Sequence, residues 1–235
     1  MVNIQKAAFF DIDNTVVNIK TMFSFMKYYL DSSGSNNSDL TYESFSLYLD
    51  KFSKRTDRVE LNKYFYSFFK GWSQETVKKE SVKWFQGLVL DKNNNLFIEP
   101  IVKLIKDLKQ QGFLIVAVSG SFHEALLPLI NYLEFDAVLA TELKTQKEIY
   151  TGSISKSMIG AGKGESIIDF ARLHNIKLHE SCACGDHITD LSMLELVDRP
   201  LVVAGDENLE KIAKERSWEI IHNTSVLTDD KELHV

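Results

Sequence analysis

The stretch that most limits how this chain can fold is Lys6 to Thr15, KAAFFDIDNT. An apolar run ending in two aspartates one residue apart reads as a buried strand that delivers both carboxylates at its C-terminal edge, where open α/β sheets keep their chemistry. Asp11 and Asp13 stand at i and i+2, on one face of an extended chain, so the backbone must bend for the two to act separately. Asn14 and Thr15 are turn formers that permit the bend. Two carboxylates this close are costly unless a hard cation neutralises them, and oxygen donors at this charge density suit Mg²⁺. The plainer reading of a bare D-x-D is a pair of helix-capping acids, so its meaning depends on the rest of the chain.

Residues 18 to 95 change to aromatic-rich helical periodicity. Met22, Phe25, Met26, Tyr29 and Leu30 fall at i, i+3, i+4, i+7 and i+8, the stripe of one amphipathic helix. Ser32 to Asp39 reads as a polar loop. A second helix carries Phe45, Tyr48, Leu49 and Phe52. A third opens at Asp57 with Glu60 in capping-box spacing, then repeats Leu61, Tyr64, Phe65, Phe68, Phe69 and Trp72. A fourth starts at Ser73 and runs through Val77, Trp84 and Phe85. No strand pattern separates these segments, so they predict a small helical bundle whose aromatic stripes are packing surface.

After the polar linker Asp91 to Asn95, strands and helices alternate. Pro100 opens a helix bearing Ile101, Leu104, Ile105 and Leu108, closed by Gly112. Phe113 to Val118, FLIVAV, is a continuous apolar run typical of a parallel strand covered on both faces. A helix follows from about Phe122 despite Pro128, then a short strand at Ala137 to Ala140 and a β-hairpin between Glu142 and Ser155. Helix Gly162 to His174, strand Ser181 to Cys184, short helix Leu191 to Leu196, strand Leu201 to Ala204, helix Asn208 to Arg216 and strand Glu219 to Ile221 complete the pattern, before a polar tail from Thr224 to Val235. The alternation predicts an α/β fold, a parallel sheet with right-handed crossovers. The helical stretch interrupts it between the first and second strands. Residues 1–17 and 96–235 are therefore the expected core, and 18–95 an insert over the sheet's C-terminal edge, placed as a lid.

With 44% hydrophobic and 26% charged residues the chain has an ordinary globular composition, and its net charge of −6 argues against a general nucleic-acid partner. No apolar run approaches the length of a membrane span, and the N-terminus lacks the charged and apolar regions of a signal peptide, so a cytoplasmic location with no membrane partner is expected. Cys182 and Cys184, in SCACGD, read as buried free thiols in a reducing compartment.

Three further strand ends or helix starts carry polar groups. FLIVAV ends in Ser119-Gly120-Ser121, where a helix N-terminus would attract an anion; Ser119 alone reads equally as a helix cap. Lys163 lies among glycines in GAGKGES at a helix start, where a cation points to bound negative charge, against the alternative of an exposed lysine. SCAC ends in Gly185-Asp186-His187-Ile188-Thr189-Asp190, adding two carboxylates at the same edge. His187 is expected off the metal, because Mg²⁺ prefers oxygen, and His123 on a helix surface.

In order, D-x-D-x-T, S-G after a strand, K at a helix start and G-D-x-x-x-D after another strand resemble the four motifs of the haloacid dehalogenase superfamily, over nearly the whole chain outside the helical insert. The insert looks like that superfamily's C1 cap, and VSGSF, GKGE and GDHITDLSMLE look like its phosphoserine phosphatase-like branch. The resemblance implies a Rossmann-like core and a phosphatase acting on a small-molecule phosphate ester. Asp11 would attack phosphorus to form an aspartyl-phosphate, and Asp13 would act as general acid and base. Mg²⁺ would be held by Asp11, the Asp13 carbonyl and Asp186, with Asp190 as ligand or support, while Ser119, Lys163 and the Gly120 amide grip the phosphoryl oxygens. Asp13 favours phosphatase over dehalogenase. Lys20 stands where phosphoserine phosphatases usually have a glutamate for the substrate ammonium; a cation there would repel that group and favour an anionic or aromatic leaving group. Arg55 and Arg58 lack the surroundings of the family's carboxylate-binding arginine. A phosphoserine or histidinol-phosphate type phosphatase, a phosphotransferase or mutase, and a non-catalytic module keeping the fold are the competing readings. Oligomeric state is not encoded in these patterns.

Overall fold

The structure is a computed structural model, and it describes residues 5–32, 40–91 and 93–223. The loop expected beyond Ser32 and the tail expected from Thr224 lie outside the described residues.

Among the described residues one sheet organises the chain. Its strands are β1 (Ala7–Phe10), β2 (Leu114–Phe122), β3 (Ala137–Gln146), β4 (Ile149–Lys156), β5 (Cys182–Gly185), β6 (Arg199–Val203) and β7 (Glu219–Ile221), in the order β4-β3-β2-β1-β5-β6-β7. Every neighbouring pair is parallel except β3 with β4. The chain builds outward from β1 through β2 to β3, then returns to the other side of β1 for β5. Strand order therefore reverses at β1, and the crevice of a doubly wound sheet lies beyond its carboxyl end.

The period of two along each strand sorts the apolar side chains into two layers. Ala8, Phe10, Ile115, Ala117, Cys182, Cys184, Leu201 and Val203 face one layer; Ala7, Phe9, Val116, Val118, Ala183 and Val202 face the other. Helices α7 (Ala161–His174), α8 (Leu191–Leu194) and α9 (Glu207–Glu215) supply the second layer, through Ile167, Met193 and Leu209 among others. Helices α5 (Glu99–Gln110) and α6 (His123–Tyr132) cover the first. Cys182 and Cys184 are buried and unbonded.

Between β1 and α5 lie α1 (Thr21–Asp31), α2 (Tyr42–Ser53), α3 (Arg58–Ser67) and α4 (Gln74–Leu90). They do not enclose a core of their own. Phe25, Phe45, Phe65, Phe69 and Trp84 belong to the same apolar cluster as Phe10 and Ala117 of the sheet. Phe122, the last residue of β2, joins them, with ring centroids 5.4 Å from Phe25, 5.9 Å from Tyr66 and 5.0 Å from Phe69.

Three local expectations are corrected. The short strand at 137–140 and the first arm of the hairpin are one strand, β3, which pairs with β2 as far as Thr141 and with β4 from Glu142. Its turn is Lys147-Glu148, both at positive φ (50° and 61°), a hairpin conformation normally signalled by Asn-Gly or Asp-Gly. Asp57 caps α3 by accepting from the Glu60 amide at 2.9 Å, but the Glu60 carboxylate pairs with Lys63, and the reciprocal box forms instead between Thr41 and Ser44 on α2. Ser119 is not a helix cap: the strand continues to Phe122, which precedes α6 without a side-chain cap.

Candidate active site

The sheet's carboxyl edge is shaped first by the bend after β1. Ile12 is fully buried, which turns its neighbours Asp11 and Asp13 away from the core. The amides of Val16 and Val17 fold back onto the Ile12 carbonyl at 2.9 and 3.1 Å, and Asn14 takes the left-handed conformation (φ 60°) that asparagine tolerates. Asp11, the residue after β1, stays against the sheet edge, its amide donating to the Cys184 carbonyl at 2.9 Å, while Asp13 stands beyond the bend in other company.

Lys163, in the first turn of α7 and 3% exposed, places Nζ 2.5 Å from Asp11 Oδ1 and 2.6 Å from Asp190 Oδ1. The second Asp190 oxygen accepts from the amides of Asp186 and His187 at 3.2 and 3.1 Å. A Cβ at Gly185 would lie 2.6 Å from that carboxylate, so the strand can end this close to Asp190 only as glycine. Thr15 Oγ1 donates to Asp186 Oδ1 at 3.0 Å.

Asp13 is held by hydroxyls. Thr21, the first residue of α1, donates to Oδ1 at 2.6 Å, and Ser121 donates to Oδ2 at 3.0 Å; the two hydroxyl oxygens lie 2.7 Å apart. Ser119 Oγ accepts from the Ser121 amide at 3.1 Å, within the stretch of β2 where its register with β3 shifts.

The electrostatics follow from crowding four acids, Asp11 and Asp190 buried and Asp13 and Asp186 half-buried, around one ammonium. Burial pushes the Asp11 carboxyl well above the usual range against the pull of Lys163, and the charges of Asp190 and Asp186 push the same way. Asp186 is pushed up to about 7 by burial and then by Asp190, despite the Thr15 hydrogen bond. Asp13 is also raised by burial, with the Thr21 and Ser121 bonds opposing. For Lys163 burial pulls down, but the Asp11 and Asp190 carboxylates outweigh it and hold the ammonium charged.

Asp11, Asp186 and Asp190 each offer a carboxylate oxygen within 4.8 Å of the others, a donor set of hard oxygens carrying more negative charge than one lysine balances. That composition fits Mg²⁺. Asp13's carboxylate lies outside this group, in keeping with a contribution through its backbone carbonyl. His187 also lies outside it, with Nε2 3.2 Å from Asp206 Oδ2 and Nδ1 3.1 Å from Thr189 Oγ1. His123 does not line the cleft.

Asp11, Asp13, Ser119, Gly120, Lys163 and Asp186 all line one open cleft, and Lys20 lines it too. Lys20 precedes α1, its Nζ 5.9 Å from the centre of the Phe23 ring. Burial lowers its ammonium from the ordinary range, and the Arg58 charge lowers it further, against Asp13 and Asp186. Sequence reasoning set Arg58 aside, yet the start of α3 brings it to this cleft. Thr15 was read as a turn former and as the threonine of D-x-D-x-T, without the hydrogen bond to Asp186; Thr21 was not singled out and had no signal before the insert was placed.

The model of the haloacid dehalogenase-like hydrolase family matches residues 8–195. The chain belongs to that family. The match spans most of β1, the insert and the segments bearing Ser119, Lys163, Asp186 and Asp190. Among its relatives, an "inhibition of morphological differentiation protein" from Streptomyces azureus is 26% identical over 92% of this chain and 77% of its own length. A protein named a probable phosphatase from Mycobacterium tuberculosis is 27% identical over 92% of this chain and 74% of its own. In fold, the chain resembles a Bordetella pertussis protein of unknown function, at TM-score 0.79 and 17% identity over 93% of this chain and 99% of the other. It also resembles a phospho-aspartyl intermediate analogue of phosphoserine phosphatase, at TM-score 0.62 and 21% identity over 94% and 95%.

Proposed function

We propose that this member of the family hydrolyses a phosphomonoester of a small metabolite, with Mg²⁺, through a phosphorylated Asp11. The observation that carries the reading is the difference in surroundings between the two acids of DID: Asp11, just past β1, sits against Lys163, while Asp13 is held apart by two hydroxyls. A nucleophile and a proton carrier need such separate environments.

In this reading Asp11 forms a bond to phosphorus as the ester oxygen leaves, and Asp13 gives that oxygen its proton. Asp13 then takes a proton from the water that attacks the aspartyl-phosphate, which frees Asp11 and phosphate. Ser119, the Gly120 amide and Lys163 grip the phosphoryl oxygens. Mg²⁺ would be held by Asp11, Asp186 and the Asp13 carbonyl, and when bound it supplies positive charge to the buried acids and the phosphoryl group. Asp190, with one oxygen on Lys163 and the other on two amides, serves this site chiefly by orienting its neighbours. Phosphoryl transfer asks for little beyond such positioning and charge.

Residues 18–95 act as the cap and 1–17 with 96–235 as the core. Lys20 and Arg58, two cations at the mouth of the cleft, select an ester whose leaving group is anionic; phosphoserine, with its ammonium, is disfavoured.

The test is phosphate release from para-nitrophenyl phosphate and a panel of metabolite phosphates, with and without Mg²⁺, beside Asp11→Asn and Lys20→Glu. Expected are Mg²⁺-dependent turnover, its disappearance in Asp11→Asn, and a reordered panel in Lys20→Glu. Turnover that survives Asp11→Asn removes the covalent route, and an unchanged ranking removes the role of Lys20.

A further inference from the structure

Gly120, in the irregular stretch of β2 between Ser119 and Phe122, is the point at which that strand can least hold its own shape. A Cβ there would lie 2.9 Å from Ile159 Cγ1, so glycine fits where a larger residue crowds its neighbour. Glycine is also the residue with the widest backbone freedom, and a donor array meant for a phosphoryl group works only if it is already aimed.

The restraint arrives from the helical insert. Tyr66 Oη donates to the Gly120 carbonyl at 3.1 Å, and Asn62 Nδ2 donates to the same oxygen at 3.3 Å. Both donors sit on α3, one turn apart, and their residues are 0% and 4% exposed, so neither donor is drawn off by water. The peptide between Gly120 and Ser121 is trans, so holding the carbonyl on one side fixes the Ser121 amide on the other. That amide is the group bonded to Ser119 Oγ. Two bonds from α3 thus set the plane of the peptide whose Ser121 amide holds the Ser119 hydroxyl, and they fix one end of Gly120.

We propose that Tyr66 and Asn62 are positioning residues for phosphoryl binding: by pinning the Gly120 carbonyl they aim the donors of the 119–121 turn, so the grip is complete only while α3 lies on the sheet. This rests on the phosphatase reading above. Neither residue lines the cleft, so neither meets the leaving group. Their loss weakens every phosphate ligand alike, unlike a change at Lys20, which sorts esters by leaving group.

Tyr66→Phe keeps the ring contacts with Phe122 and Phe69 and deletes only the hydroxyl. The experiment compares it, Asn62→Leu and the double variant with the wild type in three readouts: competitive inhibition by inorganic phosphate, kcat/KM for para-nitrophenyl phosphate and for a phosphorylated hydroxy acid, and thermal midpoint. Expected for Tyr66→Phe is about fivefold weaker phosphate inhibition, the factor carried by one hydrogen bond. The same factor is expected on both esters, with a midpoint lowered only by the small amount one hydrogen bond carries and a larger loss of phosphate inhibition in the double variant. Unchanged phosphate inhibition, or losses that differ between the esters, overturns the proposal. Should Asn62→Leu fail to fold, Tyr66→Phe decides alone. A wild type that hydrolyses neither ester overturns the phosphatase reading itself; variants that match an active wild type overturn only this inference.

Discussion

Because Thr21 and Ser121 have one hydroxyl proton each and Asp13 has two oxygens, each acid oxygen receives one hydroxyl, and the Thr21 amide adds a further donor. Burial raises the Asp13 carboxyl, and the hydroxyl bonds, with the Thr21 amide and the Lys163 charge, restrain the rise, so removing a hydroxyl would leave the acid both misaimed and harder to ionise. Thr21→Val is expected to lower kcat about fivefold with Thr21→Ser close to wild type, and Asp13→Asn to lower it by about 10²- to 10⁴-fold; steady-state kinetics checks both. Asp186 gives a pH dependence of defined sign. Its folded carboxyl titrates at about 7 against an ordinary value of 3.8, so between those values the folded chain holds a proton that the unfolded chain has lost. Stability from this residue therefore falls as pH rises through that window. Metal-free Asp186→Asn is expected to match the wild type near pH 4 and exceed its thermal midpoint increasingly toward pH 7. Mg²⁺ at neutral pH should raise the wild-type midpoint more than that of the variant.

At the scale of elements, the β3–β4 hairpin ties the insert to the sheet. The Gly71 amide donates to Tyr150, the Tyr150 amide to Trp72 and the Gln74 amide to Glu148, each at 2.9 Å, so the link between α3 and α4 runs alongside β4 as a partial strand. Gly152 makes room for this docking. Its φ is +80°, and a Cβ would lie 2.9 Å from both the Ser67 carbonyl and Lys70 Cβ. Gly152→Ala is expected to cost about 2 kcal/mol or more, from backbone strain and overpacking together. Gly87 is the contrast: it lies inside α4 with nothing within 4 Å of its would-be Cβ, and Gly87→Ala is expected to stabilise by about 0.5–1 kcal/mol. Denaturant unfolding of the two variants checks the opposite signs. The hairpin itself was legible from alternation, but its register was not, because Lys147-Glu148 reaches positive φ without the residues that normally announce it.

Across the whole molecule, the insert and one face of the sheet share a single apolar cluster, with Phe122 at the join. An insert that shares its core cannot melt alone, so calorimetry is expected to show one transition; two would mean that the helices fold independently. Phe122→Ala should lower that single transition by about 3–5 kcal/mol, since it opens a cavity between both parts. Among the described residues no helix is long and apolar enough to cross a membrane. Much of this architecture was written locally. The apolar run before DID, the FLIVAV strand and the glycines flanking Lys163 and Asp186 each announce a strand end or helix start within a few residues, because backbone period and turn chemistry act over that range. Their order along the chain was enough to name the family. What periodicity could not carry is which distant groups meet: Thr21 with Ser121, 100 positions apart, Tyr66 with the Gly120 carbonyl, 54 apart, and Arg58 with the cleft. Those pairings exist only once α1 and α3 are packed on the sheet, and packing depends on the joint shape of many side chains, a property of the folded whole that no single segment contains.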